Sequence, residues 1–119
     1  MTAGVGIDLI EVDRIERALE RYPNLAERLF SEDELAYCRR HGRPARHLAA
    51  RFAAKEATVK ALGLDHFSPS EIEVVSGRPP KLRLYGAAAA AARERGLELQ
   101  LSITHAREVA AAVVVADAA

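Results

Sequence analysis

From Val5 to Ile10 the chain alternates, with Val5, Ile7 and Leu9 on one parity and Gly6, Asp8 and Ile10 on the other. A period of two predicts a strand and sends the Asp8 side chain to the face of Gly6 and Ile10. At Asp13 the spacing changes. Asp13 with Glu16 makes a capping-box pattern, and Ile15, Ala18, Leu19 and Tyr22 form an apolar helical stripe that ends before Pro23. Arg14, Arg17 and Arg21 fall together on the other side of that helix. A second capping box, Ser31 with Glu34, opens a helix over residues 32–40, and His41-Gly42-Arg43 closes it. Pro44 suits the first turn of a new helix and Gly63 the position just past its end, which predicts one long helix over residues 44–62.

After Gly63 the pattern shortens. Ile72 to Val75 and Leu82 to Tyr85 flank the turn SGRPP and should pair as a hairpin. The alanine run is bounded by Gly86 and by RERG, so it reads as a helix over residues 87–95. Leu97, Leu99, Leu101 and Ile103 then alternate on one face of a strand, and HARE turns into VAAAVVVA, Val109 to Ala116. That last strand is apolar on both faces, so it is expected to be covered by helices on one side and by another subunit on the other. The predicted fold class is α+β, a single domain over residues 1–119 with an antiparallel sheet packed against a long central helix.

Composition narrows the function. With 119 residues, half of them apolar, the chain suits one core. Lysine plus arginine equal aspartate plus glutamate at 17 each, and only three tyrosines and three phenylalanines are present, which argues against a basic, aromatic-lined groove for nucleic acid. No apolar run reaches membrane-spanning length. The lone Cys38 cannot form an internal disulfide and MTAGVGIDLIEVDRIE lacks the order of a signal peptide, so a cytoplasmic location is expected.

The long helix breaks its own pattern. Leu48, Phe52, Val59 and Leu62 share one stripe with Lys55 in its middle, while Ala50, Ala54, Ala57 and Ala61 form an opposite, small-residue face. Glu56 and Lys60 lie on a narrow strip between the two. A simple account exists for each: Glu56 and Lys60 form an i, i+4 pair worth about 0.3–0.5 kcal/mol, and Lys55 can snorkel to water. Three charges on a helix packed on two sides are nonetheless costly to desolvate without a strongly charged partner, and a polyphosphate is one. Asp8 at the strand and Glu56 on the helix supply hard oxygens of the kind Mg²⁺ takes alongside waters and phosphates.

The segments VGID, Val5 to Asp8, and FAAKEATVK, Phe52 to Lys60, resemble the two signature motifs of the phosphopantetheinyl transferases. Their order and separation, and the terminal SITHAREVAAAVVV from Ser102, are similar to the short, single-domain branch, the holo-acyl-carrier-protein synthases. The resemblance covers essentially the whole chain and implies a phosphopantetheinyl-transferase-like fold. It implies Mg²⁺-dependent transfer of phosphopantetheine from coenzyme A to a serine of an apo acyl carrier protein, releasing adenosine bisphosphate, in fatty acid biosynthesis. The nucleophile then belongs to the partner, which accounts for the lack of a G-x-S-x-G pattern in this chain.

By match to the motifs, Asp8 and Glu56 are implied to hold the metal. Glu56, directly or through a metal-bound water, is implied to help remove the serine proton, with Lys60 offsetting charge on the leaving phosphate. The same match implies coenzyme A contacts for Arg51, Lys55, Lys60 and His105, and for the turn residues Gly77, Arg78 and Pro79. Ala106 departs from the family, where a polar residue often follows the histidine, so no hydrogen bond from that side chain carries over. Arg14, Arg17 and Arg21 are implied to dock the acidic carrier protein, although Glu11, Glu16 and Glu20 stand close by. The branch is a homotrimer with active sites between protomers. Two alternatives stand beside this reading: a Mg²⁺-dependent nucleotide or coenzyme A pyrophosphatase, and a non-catalytic module that binds coenzyme A or a carrier protein.

Overall fold

The computed structural model describes residues 1–119. Its element order is β1 (Thr2–Glu11), α1 (Val12–Arg21), α2 (Leu25–Leu29), α3 (Glu32–Arg39), α4 (Pro44–Leu62), β2 (Ile72–Val75), β3 (Lys81–Leu84), α5 (Gly86–Glu94), β4 (Leu97–His105) and β5 (Val109–Ala118). Two antiparallel sheets form. The larger has the order β1-β5-β4, with Asp8 opposite Ala112 and His105 opposite Ala110, and the smaller is the β2-β3 hairpin. No helix is long and apolar enough to cross a membrane.

Helix α4 is the axis of the molecule, and its ends are those the sequence predicts: Pro44 at its start, and Gly63 at φ 66° after its last turn. One side of α4, through Ala53, Ala54, Ala57 and Ala61, packs on Ala112, Val114 and Ala116 of β5. The N-terminal half packs Leu48 and Ala49 among Val12, Ile15, Phe30, Leu35 and Cys38. Small residues let the helix lie close to the sheet, and two glycines bring it closer still. A Cβ on Gly6 would overlap the Ala57 carbonyl oxygen and stand 2.8 Å from its carbon, and one on Gly4 would overlap the Ala61 carbonyl oxygen. β1 and α4 therefore meet backbone to backbone, which only glycine permits.

This approach inverts the simple reading of β1. Gly6, Asp8 and Ile10 face α4, whereas the apolar parity faces out, with Val5, Ile7 and Leu9 about 59%, 63% and 65% exposed. On β5 the inward Ala110, Ala112, Val114 and Ala116 are buried while Val113 and Val115 are half-buried. Only one face of the three-stranded sheet is thus covered within this chain, by α4.

The capping box at Ser31 and Glu34 forms as predicted, with Glu34 N–H donating to Ser31 Oγ at 3.2 Å and Ser31 N–H to Glu34 Oε1 at 2.8 Å. The box expected at Asp13 and Glu16 does not. α1 starts two residues earlier than that box implies, at Val12, with Glu11 at the cap position and no side-chain cap. The backbone N–H of Val12 instead donates to Glu108 O at 2.9 Å, so the turn before β5 satisfies that end and Asp13 is left to pair with Arg17. The short helix α2 has no apolar period long enough to reveal it in the sequence.

Candidate active site

β1 and α4 carry three charged side chains to one place. Lys60 Nζ donates to Ile7 O at 3.0 Å and stands 3.4 Å from Asp8 Oδ1. Glu56 is one turn before Lys60 and half-buried. Burial raises the pKa of its carboxyl, the charge of Asp8 raises it further, and Lys60 works in the opposite direction. Two carboxylates close enough to repel, with one half-exposed ammonium between the elements, make a site short of positive charge. No group of three or more His, Cys, Asp and Glu side chains is placed to hold a metal ion. The donor set is that of an ion which takes one or two carboxylates from protein and its remaining oxygens from water and phosphate, which fits Mg²⁺ and not a closed structural zinc site.

Arg51 lies farther toward the start of α4 and is only 3% exposed, not solvated as its place on a helix side allowed. Its guanidinium stacks 4.4 Å above the Tyr37 ring and donates to Ser76 Oγ at 3.3 Å, the residue that opens the Gly77-Arg78-Pro79 turn. Its Nε is buried without a partner. Near it, His41, His47 and His105 meet in series, the first pair tilted with ring centroids 3.9 Å apart and the second edge-to-face at 5.0 Å. Burial and then the neighbouring His41, His105, Arg51 and Arg46 lower the pKa of His47 to about 4, so this ring is neutral at physiological pH. His105 itself is exposed at the end of β4, and Gly77, Arg78 and Pro79 are exposed at the hairpin tip. Arg51 and the histidines thus gather around the N-terminal half of α4.

Lys55 departs from expectation. It is 1% exposed, and its ammonium donates to Leu29 O at 2.8 Å, Glu34 Oε1 at 2.8 Å and Pro69 O at 3.1 Å. All three protons are used inside the protein, so Lys55 does not snorkel to water. The polar residue in the apolar stripe answers to Glu34, whose sequence signal was only that of a capping box. Sequence reasoning also passed over His41, His47, Ser76 and the contact of Glu73 with Ser31 and Tyr85. Those residues are scattered in sequence and meet only through the packing of α3, α4 and the hairpin.

Arg14, Arg17 and Arg21 are exposed on α1. Arg17 pairs with Asp13, Glu16 is taken up by Arg43 at 3.7 Å, and the Arg21 guanidinium lies 5.6 Å from the Tyr22 ring centroid. Arg14 borders an apolar groove of about 380 Å³ lined by Ile10, Ile15, Leu25, Leu29, Phe52 and Phe67.

The comparisons with known proteins bear on this geometry. Residues 4–114 match the family model described as the 4′-phosphopantetheinyl transferase superfamily. The chain is 44% identical over 117 residues to the holo-[acyl-carrier-protein] synthase of Moorella thermoacetica, covering 94% of this chain and 91% of that protein. It is 47% identical over 118 residues to the Streptomyces avermitilis protein of the same name, covering 96% of each. Among solved structures, the Chronobacterium ammoniagenes ACPS-CoA complex is similar at TM-score 0.83 and 31% identity over 98% of this chain and 97% of that one. The Mycobacterium tuberculosis acyl carrier protein synthase is similar at TM-score 0.81 and 32% identity over the whole of both chains. Fold, motif placement and relatives agree, and the chain belongs to the 4′-phosphopantetheinyl transferase superfamily.

Proposed function

We propose that this chain transfers the 4′-phosphopantetheine group from coenzyme A to a serine hydroxyl of an apo acyl carrier protein, as the names of its relatives describe. The serine oxygen attacks the phosphorus bearing pantetheine, the bond from that phosphorus to the bridging diphosphate oxygen breaks, and adenosine 3′,5′-bisphosphate leaves. The observation that carries the reading is the convergence of Asp8, Glu56 and Lys60 across the β1–α4 contact. Asp8 and Glu56 would hold Mg²⁺, which when bound supplies positive charge to the diphosphate oxygens. Lys60 adds a point charge beside it, suited to the leaving phosphate. Glu56, made more basic by burial and by Asp8, is the acceptor available for the serine proton. Phosphoryl transfer asks mainly for such positioning and charge neutralisation.

The residues around the N-terminal half of α4 continue the reading. Arg51, His105 and the Gly77-Arg78-Pro79 turn would take the nucleotide phosphates and base, supported by the buried, stacked guanidinium of Arg51 and its bond to Ser76. Arg14, beside its apolar groove, together with Arg17 and Arg21 would receive an acidic carrier protein that offers an apolar side chain to the groove. The uncovered face with Val5, Ile7 and Leu9 supports self-association of the chain as a homotrimer, because so much apolar surface on one face is costly to leave in water. Sedimentation at micromolar concentration is expected to give three times the chain mass. Activity in fatty acid biosynthesis and in the cytoplasm follows from the same reading.

Intact-mass spectrometry tests the reaction. Apo carrier protein incubated with this chain, coenzyme A and Mg²⁺ is expected to gain the mass of one phosphopantetheine. Hydrolysis of coenzyme A without carrier would indicate the pyrophosphatase alternative, and binding without any turnover would indicate a non-catalytic module.

A further inference from the structure

Lys55 and Glu34 form an ion pair with side-chain exposures of 1% and 0%. An ion pair buried that deeply is weak evidence of stabilisation, since apolar residues of the same volume often serve as well. What it offers is direction. Lys55 Nζ meets three acceptors on three separate segments: Leu29 O at the end of α2, Glu34 Oε1 on α3, and Pro69 O in the 3₁₀ turn before β2. A protonated amine has three donors, so every one is committed. Glu34 is as fully used. Its Oε1 also accepts from Ser31 N–H, and its Oε2 accepts from Val74 N–H at 2.8 Å.

We propose that the Lys55–Glu34 pair is a positioning device for the reaction: it sets the rotation of α4 about its axis, and so the aim of Glu56. The inference rests on the metal-dependent transfer proposed above. On the sheet side, Gly4 and Gly6 bring β1 against the backbone of Ala61 and Ala57 and fix the spacing of strand and helix. Contact with a cylinder limits distance more than rotation. Lys55 adds a buried rotational constraint next to Glu56, because its ammonium reaches its three acceptors at one azimuth only. Glu56 is the next residue, about 100° around the helix. At roughly 6 Å from the axis, a rotation of about 10° carries a carboxylate through about 1 Å, and displacements of that size cost on the order of a hundredfold in rate.

The test uses the full-length chain with Lys55→Met, a substitution that keeps the length and removes the donors. Mn²⁺ occupancy is followed by electron paramagnetic resonance in the presence of coenzyme A, without turnover, and steady-state transfer gives kcat and KM separately. A folded Lys55→Met protein is expected to bind Mn²⁺ about tenfold more weakly or worse and to lose about a hundredfold in kcat, as when outer partners of metal ligands are removed. Its KM for coenzyme A should stay within about threefold, because all three donors of Lys55 are committed inside the protein and none is left for that substrate. Unchanged Mn²⁺ affinity and kcat overturn the inference. So does a rise in KM for coenzyme A alone, which would mark Lys55 as a direct ligand. If Lys55→Met does not fold, Glu34→Gln is read by the same two measurements and the same criteria. Wild-type protein that binds no Mn²⁺ would remove Glu56 as a metal ligand and this inference with it, whereas wild-type binding matched by the variant removes this inference alone.

Discussion

Replacing Gly6 with alanine tests whether the backbone contact between β1 and α4 builds the site. Gly6 does not have a positive φ, so alanine is conformationally acceptable. By chain entropy alone it would stabilise by about 0.4–1 kcal/mol. The space decides otherwise. The added Cβ would overlap Ala57 O and stand 2.8 Å from Ala57 C and 2.9 Å from Ala61 N, all of them backbone atoms of a hydrogen-bonded helix that cannot rotate away. The approach to Ala57 C alone is 0.6 Å short of the 3.4 Å of ordinary contact, and the overlap with the oxygen demands more. Strand and helix must separate. Overpacking of this kind costs about 1–3 kcal/mol, which exceeds the entropic gain. Asp8 is two residues from Gly6 and Glu56 is adjacent to Ala57, so the separation falls on the pair proposed to hold the metal. A shift near 1 Å is expected to lower kcat by about a hundredfold. Gly4→Ala is the control, since it meets Ala61, one turn farther from Glu56, and is expected to lose similar stability but less activity. Urea unfolding and transfer kinetics on both variants check this. A Gly6→Ala protein at least as stable as wild type, with its rate intact, would refute the reasoning.

Asp8→Ala and Glu56→Ala are each expected to lower turnover by about two orders of magnitude or more with the fold retained, measured by transfer at saturating coenzyme A beside circular dichroism. Near-normal rates at low Mg²⁺ would remove the metal assignment. Arg14→Glu combined with Arg17→Glu should raise the KM for carrier protein more than it changes kcat, with the effect shrinking as salt is added. The buried thiol of Cys38, its pKa pushed up to about 11 chiefly by burial, is expected to resist iodoacetamide in the folded protein and react at once in denaturant. His47 gives a pH signature. Its folded pKa of about 4 lies below the ordinary 6.5, so the unfolded chain binds a proton between those values that the native state refuses, and stability falls as pH drops through that window. Relative to His47→Gln, wild type should lose about 1–2 kcal/mol more between pH 7 and pH 4.5, after allowing for solvent screening of a partly exposed ring.

Helix ends were legible because they are local. Pro44, Gly63 and the Ser31–Glu34 box act within a few residues of themselves, and the structure uses each as the sequence implies. Asp13 and Glu16 carry a similar pattern, yet a distant carbonyl, Glu108 O, satisfies the helix start there instead. Strand parity was legible too, but not which parity faces inward. In β1 the apolar residues point out and the glycines point in, because an approach of backbone to backbone outweighs the burial of Val5, Ile7 and Leu9 within a single chain. That ordering leaves an apolar face open, which is the observation behind the proposed self-association.

The site was legible in its residues and not in their division of labour. Asp8, Glu56 and Lys60 read as a charged group from sequence, and the β1–α4 contact does bring Lys60 to Asp8. Lys55 looked like a fourth member because a helical wheel shows which direction a side chain leaves the axis, and not what waits there. What waits is a carboxylate from α3 and two carbonyls, none predictable from spacing within α4. The motif lysine and glutamate, adjacent in sequence, thus point to different worlds: Lys55 into the protein and Glu56 toward the proposed ligand. A helix carrying a metal ligand needs both, since a carboxylate can be aimed only if something on another side of the same turn stops the helix from rotating. On this view the adjacency of Lys55 and Glu56 is itself functional. Lengthening α4 by one residue between them would turn Glu56 by about 100° and abolish the site, even if every side chain were kept.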